Sequence, residues 1–287
     1  MILAEHLSYT YTPGGVFEKN AVRDVNFTIE DGTFCGIIGH TGSGKTTLVQ
    51  MLAGLVRPTE GKVLINGLDV HDKKIRLNEL KGKVGLVFQY PEYQLFGETV
   101  LEDVMFGPLN LGLSEADARK KAKAALRDTG VDASLFDSSP FELSGGQKRR
   151  IAIAGVLALS PEILILDEPT AGLDPMGRDE ILSCISELHK REKITVLLIS
   201  HSMEDMAKYA QQILVMDGGK LCMHDTVENV FSHGEKLREM GLDVPDITRV
   251  ILSLREKGVN ISPDIYTLSA AKEAILRIWR EKKCSEI

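Results

Sequence analysis

Cysteine is scarce in this chain and never clustered. The four residues, Cys35, Cys184, Cys222 and Cys284, lie far apart and form no C-x-x-C pair. That spacing excludes a disulfide framework and a thiolate metal site, and leaves free thiols in a reducing compartment as the expectation. Long apolar runs are missing too. The longest stretch without Asp, Glu, Lys or Arg is Gly32 to Gly44, 13 residues and rich in glycine, whereas crossing a membrane takes roughly 20 mostly apolar residues. The start, MILAEHLSYTY, has no basic segment and carries Glu5 early, unlike a secretory signal. A chain that is soluble alone, yet able to dock on a membrane partner, is expected. A basic excess is also absent. Lys and Arg number 34 against 41 Asp and Glu, a net charge of −7, and nucleic-acid binders usually lean the other way. There is no internal repeat or low-complexity tract.

What is present is a chain of 287 residues, 43% hydrophobic, enough for one large domain and a smaller appendage. Its texture changes along the length. The first third reads as strands: VNFTI alternates, FCGIIG is a buried run, Asn66-Gly67 marks a hairpin in KVLINGLDV, and VGLVFQ spans Val84 to Gln89. KTTLVQMLAG reads as a helix ended by Gly54. From Gly97 to Leu159 only helices are expected: Thr99 to Phe106, one capped by Ser114 and ended by Gly130, and one capped by Ser144. Strand and helix then alternate: EILILDEP, a helix from Met176 to Glu192, ITVLLIS from Ile194 to Ser200, a short helix from Met203 to Ala210, and a hairpin at Gly218-Gly219. Apolar strands alternating with helices imply a parallel sheet covered on both faces. After Ser232 two amphipathic helical segments follow. Ile275, Ile278 and Trp279 share one face, to pack on the chain itself or on a partner.

Gly39, His40, Thr41, Gly42, Ser43, Gly44, Lys45 and Thr46 read GHTGSGKT, followed by Thr47. The run fits G-x-x-x-x-G-K-[ST] between an expected strand and an expected helix. Glycines let backbone N–H groups converge on phosphate oxygens, and the helix start adds its positive dipole end. Lys45 would reach the β- and γ-phosphates of a nucleotide, and the Thr46 hydroxyl would bind Mg²⁺. ILILDE delivers Asp167 and Glu168 to the C-terminal edge of a buried strand, where such sheets bind ligands. Asp167 suits Mg²⁺ through water, and Glu168 suits polarising an attacking water. His201 follows ITVLLIS at the same edge, placed for a hydrogen bond to the γ-phosphate or the water. Gln89 ends VGLVFQ and suits contact with Mg²⁺ and water.

LSGGQKRR, Leu143 to Arg150, is a second anion-friendly segment. With Ser144 as cap, the Gly145 and Gly146 amides lie at a helix start, free for an anion. Two chains placed head to tail would let this segment of one close over the γ-phosphate held by the other. Lys148, Arg149 and Arg150 read as the solvated, salt-bridged start of that helix.

Together these motifs resemble the ATP-binding cassette (ABC) ATPases over about residues 1–232: phosphate loop, Gln89, LSGGQ, ILILDE, the AGLD run from Ala171 to Asp174, and His201. The resemblance implies an α/β P-loop NTPase. Its parts would be a mainly parallel sheet core, an N-terminal antiparallel β-region, an inserted helical subdomain over about 90–160, and a C-terminal helical extension over 233–287. It implies an ATPase using ATP and Mg²⁺ as a dimer, with Glu168 as catalytic base, and with Ser144, Gly145, Gly146, Gln147 and Asp174 acting in trans. An aromatic stacks on adenine, Tyr11 being the choice and Tyr9 and Phe17 the rivals. The finer likeness, in FQYPEYQLF, LSGGQKRRIAIAGVLA, IIGHTGSGKTTL and TPGGVFEKN, is to ATPase subunits of energy-coupling factor (ECF) transporters, importers of vitamins and metal ions, and to the second of their two paired ATPases. It implies a sister ATPase with a heterodimer favoured, an integral-membrane coupling subunit, a substrate-binding membrane subunit, and a peripheral place on the cytoplasmic membrane face. Tyr93, Leu95 and Phe96 offer either a docking surface for a partner helix or core filler. The alternative function is a non-transport ABC ATPase of nucleic-acid or ribosome assembly and repair. The acidic balance, single cassette and lack of a coiled-coil insertion oppose it. A stand-alone P-loop kinase would leave LSGGQ without purpose.

Overall fold

ILILD and TVLLI are apolar at almost every position because the strands they form are covered on both faces. The computed structural model describes residues 1–72 and 82–285. Its main sheet contains β3 (Phe34–Ile38), β6 (Val84–Val87), β7 (Ile163–Asp167), β8 (Thr195–Ile199), β9 (Gln212–Asp217) and β10 (Lys220–Thr226) in the order β10-β9-β3-β8-β7-β6. All neighbours run parallel except β9 and β10, which form the hairpin turning at Gly218-Gly219. Successive residues alternate between two cores, as period 2 demands. Ile163, Ile165, Leu197 and Ile199 join one cluster, while Leu164, Leu166, Val196 and Leu198 join the other. Each such side chain contributes roughly 1.5–3 kcal/mol by leaving water.

The first cluster also takes in an antiparallel sheet, ordered β2-β1-β4-β5 from β1 (Ile2–Tyr11), β2 (Lys19–Ile29), β4 (Glu60–Ile65) and β5 (Leu68–Asp69). Leu48, Val49, Met51 and Leu52 of α1 (Lys45–Leu52) belong to that shared core. The Asn66-Gly67 turn joins β4 and β5 as the sequence implies. Between β6 and β7 lie only helices: α2 (Val100–Asn110), α3 (Glu115–Asp128), α4 (Gly145–Leu157) and short 3₁₀ turns. Ser114 and Ser144 cap α3 and α4 as expected. The helix α2 runs past Phe106 to Asn110 with Pro108 inside it. α5 (Pro175–Glu192) and α6 (Met203–Tyr209) follow β7 and β8. Cys35, Cys184 and Cys222 are free thiols, and the Cys284 side chain lies outside the described residues.

The chain ends in α7 (Val227–Ser232), α8 (Gly234–Glu239), α9 (Asp246–Glu256) and α10 (Leu268–Ser285). Ile275, Ile278 and Trp279 fall within about 100° of helix arc, one face as expected, but they are not buried alike. Ala271, Ala274 and Ile278 of α10 pack with Ile251, Ile261 and Ile265, whereas Ile275 and Trp279 are exposed. At 100° per residue the first three span about 60° of arc, and the other two fall on its flank.

Candidate active site

Four neighbouring parallel strands, β3, β8, β7 and β6, end at one edge, and the chemistry-bearing residues follow each end. After β3 the loop from Gly39 to Gly44 leads into α1. Gly44 sits at φ +102, and a Cβ there would stand 2.3 Å from the Ala21 carbonyl oxygen, so only glycine fits. As N-cap it supplies no side-chain hydrogen bond, and the first turn holds no acidic residue. The opening N–H groups of α1 are thus free for an anion. Ser43 Oγ is buried and has no partner among the described residues. Such a donor is normally satisfied, and a phosphate oxygen would do so.

Lys45 is 7% exposed, with Nζ donating to the Gly39 and His40 carbonyls at 2.7 and 3.0 Å. Burial lowers its pKa from the ordinary 10.5, opposed by the charges of Glu168 and Asp167. Asp167 ends β7 at 6% exposure. Burial raises its pKa above 3.8, and a hydrogen bond from Thr46 and the charge of Lys45 oppose this. Glu168 comes next. Its Oε1 lies 2.7 Å from His201 Nε2, and its Oε2 accepts from Gln89 Nε2 at 3.0 Å. The Glu168 backbone is left-handed, φ +49, uncommon for a non-glycine. It is held by Glu168 N–H donating to the Ile199 carbonyl (3.0 Å) and Ala171 N–H donating to the Glu168 carbonyl (3.1 Å).

Tyr11, Thr41, Gly42, Gly44, Lys45, Thr46, Thr47, Gln89, Glu168 and His201 line one open pocket of about 430 Å³. Gly39, His40 and Ser43 shape its loop without lining it. The His40 ring turns away to Asp217, 2.9 Å from Nε2. Among the three aromatics, Tyr11 is the one on the pocket wall. Its hydroxyl meets Thr47 Oγ1 at 3.0 Å, Tyr9 packs edge-on behind it, and Phe17 is 86% exposed outside the pocket. Lys19 and Ala21 also line the pocket and were not anticipated. Lys19 faces Tyr11 across the β1–β2 register, a pairing the TPGGVFEKN loop hides from a sequence.

The LSGGQ segment lies elsewhere. Ser144, Gly146, Gln147 and Asp174 line a separate depression of about 870 Å³, and Gly145 is exposed at the same helix start. Ser144 Oγ accepts from Gln147 N–H at 3.3 Å, and Gln147 Oε1 accepts from Ser144 N–H at 2.9 Å. Asp174 caps α5 by accepting from Gly177 N–H at 2.7 Å. Within one chain this segment does not reach the phosphate loop's pocket.

The model of the family described as ABC transporter matches residues 22–171. This chain belongs to the ABC transporter family. It is 53% identical to the energy-coupling factor transporter ATP-binding protein EcfA2 of Caldanaerobacter subterraneus subsp. tengcongensis, over 98% of this chain and 99% of the relative. It is equally similar, 53% over the same shares, to the protein of that name from Clostridium acetobutylicum. Among solved structures, cbiO1 from Clostridium perfringens, part of the ABC transporter complex cbiONQ, is 37% identical with a TM-score of 0.73, covering 83% of this chain and 93% of that one. The ATP-binding cassette MJ0796, as a dimer in a post-hydrolysis state bound to ADP and Pi, is 29% identical with a TM-score of 0.70, covering 79% and 99%. The cassette is therefore an ABC ATPase of the energy-coupling factor type, most like the second of the paired ATPases.

The expected solvated helix start is corrected at one position of this cassette. Arg149 is 2% exposed, its guanidinium bidentate on Glu92 at 3.0 and 2.6 Å. Arg150 does pair with Glu180, and Lys148 donates to the Phe141 carbonyl. Leu95 is core filler, while Tyr93 and Phe96 are exposed.

Proposed function

We propose that the chain hydrolyses ATP between its own phosphate loop and the LSGGQ segment of a second, sister cassette. It would act on the cytoplasmic face of the cell membrane as the peripheral ATPase of an importer for a micronutrient, a vitamin or metal ion. The observation that carries this reading is the Glu168 carboxylate, held by Gln89 on one oxygen and His201 on the other, beside Lys45 and an uncapped helix start. Tyr11 stacks on adenine. The α1 amides and Lys45 bind the phosphates. Glu168 takes the proton of the attacking water, oriented by Gln89, and His201 donates to the γ-phosphate.

The site's donors fit Mg²⁺. No cluster of three His, Cys, Asp or Glu able to hold a metal occurs among the described residues, and Mg²⁺ on a nucleotide needs none. It keeps its waters and takes one or two protein oxygens beside the phosphates. Thr46, Asp167 and Gln89 would hold it, and when bound it neutralises phosphate charge.

Ser144, Gly145, Gly146, Gln147 and Asp174 act on the sister's nucleotide, which accounts for their separation from the pocket in one chain. That the similar cassette MJ0796 is a dimer in its ADP- and Pi-bound state supports a paired arrangement. A sister of different sequence is favoured, as the relatives' names distinguish an EcfA2. Tyr93, Phe96 and Phe106 are exposed, the last two edge-to-face at 4.7 Å. Tyr93 and Phe96 follow Gln89 and Phe106 lies on α2, and together they suit a helix of the integral-membrane coupling subunit, which in turn works on the substrate-binding membrane subunit. Glu168→Gln tests the core of this. Turnover should fall about 10²–10⁴-fold, the usual loss of a general base, with ATP affinity preserved in a nucleotide-binding titration. Steady-state ATPase within twofold of the unaltered protein would sink the assignment.

A further inference from the structure

Arg149 lies in the LSGGQKRR run but has no role in the site above, yet it is among the most buried charges in the molecule. It lies in the second turn of α4, its side chain 3% exposed. Nε and Nη2 donate to the two oxygens of Glu92 at 3.0 and 2.6 Å. Nη1 donates to the Ala171 carbonyl at 2.6 Å. The Tyr90 ring lies 5.8 Å from its Cζ, a cation–π distance. Glu92 sits in the 3₁₀ turn Pro91–Gln94, just after Gln89. Its carboxyl is only 14% exposed; burial pushes its pKa up, and the Arg149 hydrogen bond, its own backbone N–H and the Arg149 charge together bring it below the ordinary 4.5.

These contacts close a ring. Gln89 donates to the Glu168 carboxylate, and Glu92, three residues on, is clamped by Arg149. Arg149 holds the Ala171 carbonyl, and the Ala171 N–H donates to the Glu168 carbonyl. The left-handed Glu168 is thereby braced at its side chain by one end of the ring and at its backbone by the other. The ring also includes the first turns of the LSGGQ helix and the loop that runs on to Asp174. We propose that Arg149, with Glu92, is a positioning pair that sets Glu168 and the signature helix in one register, so that movement of the 90–94 segment reaches both together.

This rests on the reading of Glu168 as general base. Only a planar fork can hold Glu92 at two points and Ala171 at a third, so lysine is not equivalent. The experiment compares Arg149→Lys, Glu92→Gln and Glu168→Gln with the unaltered protein in the assembled ATPase dimer, measuring kcat and KM for ATP together with Tm. Expected for Arg149→Lys and Glu92→Gln is a fall in kcat of about tenfold or more, with KM within about twofold because the phosphate loop is untouched, and a Tm that leaves both folded at the assay temperature. Unchanged kcat would overturn the proposal. So would a kcat loss that is recovered on cooling in step with restored folding, which marks plain destabilisation. Full activity of Glu168→Gln would instead overturn the underlying reading, so the two failures are distinguishable.

Discussion

Asp167 sits where burial and chemistry conflict. Desolvation raises its pKa above 3.8, and the neighbouring Glu168 adds to that, against the Thr46 hydrogen bond and the charges of Lys45 and His201. The sign follows from proton counting. Between 3.8 and the raised folded value the native state binds more protons than the unfolded one, so stability falls as pH rises through that window and stays lower above it. Asp167→Asn, which cannot ionise, should raise Tm at pH 7 and flatten the decline above pH 3.8. It should also weaken Mg²⁺ affinity about 10- to 100-fold if the carboxylate acts through a water. Thermal scans across pH with a metal titration check both, and an unchanged Tm profile would contradict burial as the dominant cause. Most residues lining the pocket were legible in the sequence, because the G-x-x-x-x-G-K-[ST] run and the polar residues ending apolar strands announce themselves by spacing. Lys19 and Arg149 were not, because each owes its place to a partner distant in sequence, Tyr11 by strand register and Glu92 across 57 residues.

The helix α4 shows how much one element's start can carry. Its capping box turns the Ser144 and Gln147 side chains onto each other's backbone, a signature visible in S-x-x-Q spacing. The Gly145 and Gly146 amides are left uncapped beside Asp174's depression. Ser144→Arg removes the cap, at a cost of about 1 kcal/mol, and sets a bulky side chain where a second molecule's phosphate would lie. A single chain should bind ATP within about twofold of the unaltered affinity, while ATP-dependent dimerisation on a Glu168→Gln background should be lost. Light scattering with and without ATP reads this, and ATP-driven dimers of the variant would exclude an action in trans. Element types were legible from periodicity and caps, but the face of α10 was not. A stripe of two alanines and one isoleucine packs inward, and counting large apolar residues centres the face about 60° to its flank.

At the scale of the whole molecule, alternation of apolar strand and helix conveyed the layered α/β architecture. It could not convey strand order, because β3 lies between β8 and β9, over 150 residues later in the chain. The surface poses a sharper question. No helix among the described residues is long and apolar enough to cross a membrane, yet Tyr93 is 84% and Phe96 58% exposed, in and just after the 3₁₀ turn that holds Glu92. Aromatics anchoring an interface each contribute about 2 kcal/mol or more when buried at its centre. Tyr93→Ala with Phe96→Ala should therefore detach an integral-membrane partner while leaving ATP binding intact. Affinity capture from detergent-solubilised membranes of the native host should recover a second cassette and an integral-membrane protein with the unaltered chain. The double variant should recover the cassette alone. Nucleic acid in place of the membrane protein would move the function to assembly or repair, and retention of the membrane protein by the double variant would place its docking surface elsewhere.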